Sequence, residues 1–144
     1  GLRRPGDVPP RAGLPRRPRV YFEEWDDPCI SAIRWVSELL VLAGGDDCFP
    51  ELAVQSLGRD RIIADPLEVV RRQPDIIIGS WCGKKCRPEK VAARPGWAEV
   101  PAVRDGALFE IKSAEILQPG PAALTDGVAR LHRIVMDWSA RHGA

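Results

Sequence analysis

The chain has 144 residues, 44% of them hydrophobic and 28% charged, with a formal net charge of +1 and four cysteines. That length supports one ordinary core and excludes two comfortable ones, and no apolar stretch approaches the roughly twenty residues a helix needs to cross a bilayer. Four cysteines are too few for a disulfide-built scaffold, and no hydrophobic signal core stands near the first residue.

The small net charge hides an asymmetry. The first nineteen residues hold Arg3, Arg4, Arg11, Arg16, Arg17 and Arg19 against the single acid Asp7. Five prolines share this stretch and prevent a helix or strand from propagating. Residues 1–18 are therefore expected to form a flexible Arg/Pro-rich leader, and 19–144 a single α/β lobe. No aromatic residue interleaves with these arginines, so nucleic acid is not an expected partner.

Residues 19–25 (RVYFEEW) begin with β-favouring side chains and predict the first strand. Asp27 followed by Pro28 reads as an N-cap with proline at the first helical position, predicting a helix over 29–43 that Gly44 and Gly45 terminate. Its apolar positions form two adjoining stripes, broad enough to cover a sheet. Residues 61–64 (RIIA) are a candidate second strand. Asp65, Pro66 and Glu68 have capping-box spacing and start a short helix that Pro74 ends.

Residues 75–79 (DIIIG) show no polar alternation, which predicts a parallel strand covered on both faces. One or two helical turns are expected over 88–93, with Trp97 packed beneath them. Residues 101–103 read as a brief extended piece, 104–106 as a turn and 107–111 as a further strand. In the closing helix Leu124, Val128, Leu131, Val135 and Trp138 recur on one face. The alternation of strand and helix predicts a three-layer α/β sandwich around a mostly parallel sheet of four to five strands.

In such a sandwich the carboxyl ends of the parallel strands share one edge, where ligands gather. That edge would bring together Trp25 and Asp26, Trp81 and Cys82, and the loop 112–118. The two tryptophans offer flat apolar faces, while Asp26, Arg61, Lys84 and Gln118 have polar groups suited to the edge of a large ligand. The acids Glu23, Glu24, Asp26 and Asp27 are read as solvated or committed to capping, not as a metal site. Cys82 and Cys86, in C-x-x-x-C spacing, match neither a redox pair nor a zinc half-site. A reactive Cys82 beside Lys84 and Lys85 keeps a redox domain open as an alternative. No phosphate-binding glycine loop of the usual form is present, and no ordered catalytic set points to an enzyme.

At these residues the chain resembles the carboxy-terminal lobe of the periplasmic cobalamin-binding proteins of ABC importers, relatives of the siderophore binders. The resemblance runs from about residue 18 to 138 and rests on PRVYFEEWDDP, IRWVSELLVLAGG with FPEL, DPLEVVRRQPDIII, SWCGKK, RPGW with PAVRDG, and EIKSAEILQPGPAAL. It implies a Rossmann-like lobe of a two-lobed periplasmic receptor, with a corrinoid (cobalamin) as transported ligand and no catalytic cofactor. It further implies ligand contacts at Trp25, Asp26, Arg61, Trp81, Glu115 and Gln118, and docking of an ABC importer permease at Glu68. A ferric siderophore or haem is the alternative ligand. The amino-terminal lobe is expected to be missing, and RAGLPRRP to be the frayed end of the connecting helix. An uncovered cleft face of this kind is a candidate for self-association.

Overall fold

The computed structural model describes residues 16–81, 84–112, 116 and 126–142. The chain enters through β1 (Arg19–Asp26) and β2 (Cys29–Ser31), then α1 (Arg34–Leu42) and β3 (Asp46–Asp47). The short helices α2 (Pro50–Ala53) and α3 (Leu67–Arg72) precede β4 (Ile76–Gly79). After it come α4 (Pro88–Ala92), α5 (Pro101–Arg104), β5 (Leu108–Glu110) and the closing helix α6 (Val128–His142).

These strands form one five-stranded sheet with β1 at its axis. On one side β1 pairs in parallel with β4, Val20 opposite Ile76 through Glu23 opposite Gly79, and β4 pairs in parallel with β5. The other edge of β1 is shared by β3, parallel to its first residues, and β2, antiparallel to its last. Every residue of β4 is buried, as an uninterrupted apolar strand between two layers requires. Helices α1 and α6 pack on each other, α4 packs on β5 and α5 on β4, and α3 packs on the 3-10 turn at Trp97–Glu99. In α6, Leu131, Ile134, Val135 and Trp138 form the buried stripe. The result is the expected Rossmann-like α/β sandwich with helices on both sides.

Four local expectations are corrected. Residues 29–31 are not the first turn of a helix but the strand β2, and Asp27 and Pro28 form the turn of a hairpin. Helix α1 starts at Arg34 with no side-chain cap on Ile33. Instead the Glu24 carboxylate reaches across and accepts the Ile33 amide at 2.6 Å. This is possible because β1 bulges between Glu23 and Trp25, which leaves Glu24 outside the ladder and re-aims it. Gly44 ends the helix in the left-handed region as expected, with φ of 106°.

Residues 61–64 do not form a strand of the parallel sheet. Gly58–Arg61 is a 3-10 turn, and Ile62 makes a single antiparallel bridge to Ile30. The parallel position beside β1 belongs to Asp46–Asp47. At the start of α3, Asp65 accepts the Leu67 amide at 3.0 Å, but Glu68 does not close a capping box: its carboxylate pairs with Arg71 and Arg72 along the helix. The piece at 101–103 is helical, because Pro101 stands at a helix start, where its fixed φ is an asset.

Of the leader, residues 1–15 lie outside the described residues. Arg16 pairs with Asp75 through two 2.8 Å bonds, and Arg17 donates to the carbonyls of Val41 and Gly45.

Candidate functional site

The parallel pairing of β1, β4 and β5 sets Asp26, Ser80 and Ile111 at one edge of the sheet. Beneath this edge the Glu23 carboxylate is fully buried and accepts four hydrogen bonds. They come from the Tyr21 hydroxyl at 2.6 Å, Trp81 Nε1 at 2.9 Å and both terminal nitrogens of Arg94 at 2.7 and 2.8 Å. Such a set satisfies a buried charge that would otherwise be costly. Burial and the neighbouring Glu23 charge hold the Tyr21 hydroxyl well above its ordinary pKa, so it donates and does not ionise. Burial works against the Arg94 charge, yet Glu23 outweighs it and raises the arginine further. Arg94 also lies over the Trp97 ring, 4.6 Å from its centre.

Trp81 is thereby turned back over the sheet edge, 4% exposed and fixed by its indole nitrogen. Trp25 is half-buried and donates its own Nε1 to the Asp27 carbonyl at 3.1 Å. Between the two rings sits the Lys84 ammonium, 4.4 Å from the centre of Trp25 and 5.2 Å from that of Trp81. Its partner is the Asp26 carboxylate at 2.7 Å. Burial alone would raise the Asp26 pKa, but Lys84 outweighs it and holds the carboxyl below its usual range.

A groove of about 510 Å³ opens beside this cluster. Trp81, Trp97, Pro66, Leu67 and Pro95 make an apolar floor and wall, and Asp26, Asp27, Lys90 and Arg94 bring charge to it. A concave apolar surface with a few converging polar groups suits a flat organic ligand.

Arg61 sits apart from the groove. It is 3% exposed, and its guanidinium donates to Glu24 at 2.9 Å, the Ser31 carbonyl at 3.2 Å and the Gln55 carbonyl at 2.9 Å. Those bonds tie the 3-10 turn to the β1 bulge. Burial raises the Glu24 pKa, opposed by the Ile33 amide and Arg61. Three of the four acids of the β1 end thus face separate cations: Glu23 faces Arg94, Glu24 faces Arg61, and Asp26 faces Lys84. No group of three metal-ligating side chains is found among the described residues.

The pattern of the periplasmic binding protein family matches residues 9–115 of this chain. The chain belongs to the periplasmic binding protein family. Among solved structures it is similar to the periplasmic vitamin B12-binding protein of Vibrio cholerae, with a TM-score of 0.64 and 21% identity, covering 86% of this chain and 46% of that one. It is also similar to a possible iron-binding periplasmic solute-binding protein from Staphylococcus epidermidis, with a TM-score of 0.67 and 19% identity over 83% of this chain and 45% of that one. A periplasmic heme-binding protein from Roseiflexus gives 0.60 and 23% over 83% and 48%. The chain therefore spans about half the length of the solved chains it matches. Among curated protein sequences none matches it.

In this periplasmic binding protein chain Trp25, Asp26 and Trp81 come together at the strand ends, with Lys84 joining them. Arg61 lies behind the β1 bulge, and Glu68 is on α3, its carboxylate 2.7 Å from Arg71 and 2.9 Å from Arg72. Glu115, Gln118 and Cys82 lie outside the described residues. Sequence reasoning missed Arg94, which stood in view only as the first residue of RPGW, and the central role of Glu23. The signal for both was an acid on the buried side of a strand with no adjacent cation, which demands a distant partner.

Proposed function

We propose that this chain supplies one side of the solute cleft of a two-lobed receptor for an ABC importer, acting in the periplasm, and that its ligand is a corrinoid. The observation that carries this reading is the placement of the Trp25 and Trp81 rings beside an apolar groove at the carboxyl ends of the parallel strands β1 and β4. A large, flat, polar-edged ligand would lay an apolar face over Trp25 and the groove and set its edge groups against Asp26. Trp81, held by Glu23, makes the rigid floor, and Arg61 contributes by fixing the bulge from which Trp25 and Asp26 follow. Glu115 and Gln118, which follow β5 in the sequence, complete the contact set in this reading. Glu68 would meet basic groups of the permease, exchanging Arg71 and Arg72 for them. Binding at a single lobe leaves one ligand face in water, so affinity should be several kcal/mol weaker than in a closed cleft.

Haem or a ferric siderophore is the second reading, favoured by the heme-binding and iron-binding descriptions of similar structures. Equilibrium dialysis of the full chain against cyanocobalamin, haemin and ferrichrome separates the two. Retention of cyanocobalamin ahead of the others supports the corrinoid; retention of haemin or ferrichrome alone reverses the order. The redox alternative rests on Cys82, which lies outside the described residues, and the buried thiols do not support it. Burial pushes Cys29 up to about 11 and Cys86 up to about 12, leaving each a neutral thiol at physiological pH.

A further inference from the structure

We propose that Lys84 is a built-in occupant of the rim, and that its ammonium marks where a hydrogen-bond donor of the ligand must sit. This rests on the solute-cleft reading above and names the ligand chemistry that the rim selects. The ammonium lies between the faces of Trp25 and Trp81 and 2.7 Å from Asp26. A ligand that stacks on Trp25 needs the surface that Lys84 covers, so binding and the lysine contact exclude each other.

The two partners of the ion pair do not lose equally when it opens. The Lys84 side chain is 43% exposed and regains water readily, whereas the Asp26 side chain is 22% exposed and is left with less. The group that needs a replacement is the carboxylate. A ligand edge carrying an amide or ammonium N–H supplies a donor to Asp26, whose buried Oδ1 is ion-paired with Lys84 but accepts no hydrogen bond among the described residues. An edge carrying carboxylates brings like charge to it and is rejected. The second acid at the groove, Asp27, adds to that rejection; of the two cations there, Arg94 is already paired with Glu23, and Lys90 alone opposes it. The selected class is a flat ligand with an amidated or cationic periphery, over one of the same breadth with a carboxylated periphery.

Two variants of the full chain test this: Lys84→Met, which keeps the apolar stem but removes the donor and charge, and Asp26→Asn. The first arm needs no ligand. Acrylamide quenching of tryptophan emission rises in Lys84→Met, and the rise disappears when Trp25→Phe is added; unchanged quenching overturns the occupancy of the Trp25 face. The second arm measures dissociation constants for cyanocobalamin, with an amide periphery, and haemin, with a carboxylate one. Lys84→Met should bind cyanocobalamin about tenfold tighter, the scale of one exposed cation–π contact plus one ion pair. Asp26→Asn should narrow the preference for cyanocobalamin over haemin by about tenfold. A Lys84→Met variant that binds cyanocobalamin no better, or an Asp26→Asn variant with the same preference, overturns the proposal and leaves the solute-cleft reading standing. If wild type retains neither probe while the quenching arm behaves as stated, the solute-cleft reading fails and Lys84 is a covering residue only.

Discussion

The Glu23 carboxylate receives both terminal nitrogens of Arg94, at 2.7 and 2.8 Å, beneath the floor of the groove. One residue lies on the central strand and the other in the connection after α4, 71 positions away, so the pair ties the sheet edge to the segment that carries Trp97.

Breaking this pair from one side should be severe. Arg94→Met leaves a carboxylate that is 1% exposed without its counter-charge, and the expected loss is about 3–5 kcal/mol in urea unfolding. Combining it with Glu23→Gln should recover part of that loss, because neither variant then strands a charge. A double variant as unstable as the sum of the two single ones would show that the pair acts through separate contacts.

A second prediction concerns Gly79, the last residue of β4. A Cβ built there would fall inside the Cys86 sulfur, so the strand end and the loop after it are packed backbone to side chain. Gly79→Ala should destabilise by about 1–3 kcal/mol through overpacking. Adding Cys86→Ala removes the obstructing sulfur and should restore part of the urea midpoint, and no restoration would place the strain elsewhere.

The buried thiols should be inert in the native state. Cys29 is held up at about 11, Cys48 and Cys86 at about 12, chiefly by burial. Iodoacetamide at neutral pH should modify these three only after unfolding, read residue by residue from peptide masses. Native labelling of Cys86 at the rate of a free thiol would contradict its burial.

Acid should weaken the fold partly through Asp75. Burial raises this carboxyl, but the two bonds from Arg16 and the Arg19 amide outweigh it and leave the folded pKa below the ordinary value. A group depressed in this way stabilises the fold above its unfolded pKa of about 3.9 and loses that contribution as pH falls through the folded value. The gap in urea midpoint between wild type and Asp75→Asn should be constant from pH 7 to 5 and close as pH falls below about 4. A gap independent of pH would mean that Asp75 acts through packing alone.

The large features of the fold were legible because they rest on burial. The unalternating run at 75–79 could only be a doubly covered strand, and the 3.6-residue recurrence of Leu131, Val135 and Trp138 could only be a helix face. Capping was less legible, since it depends on which group reaches an amide and not on which stands next to it. Asp27 has the right neighbours for a cap, yet Glu24, freed by the bulge, accepts the amide at the start of α1. The same limit applied at the rim. Trp25, Asp26 and Trp81 could be grouped because strand ends converge in a parallel sheet, whereas the partnership of Glu23 with Arg94 depends on a tertiary approach that no local pattern announces.

The most direct test of a corrinoid held against the rim is a tryptophan fluorescence titration of the full chain with cyanocobalamin, alongside Trp25→Ala. The cleft reading predicts a saturable change in the wild type, beyond the ligand's own absorbance, that is lost or shifted at least tenfold in the variant, the scale of one aromatic anchor. A saturable change of equal midpoint in both proteins, or none up to high micromolar cyanocobalamin alongside a clear response to haemin, would contradict it.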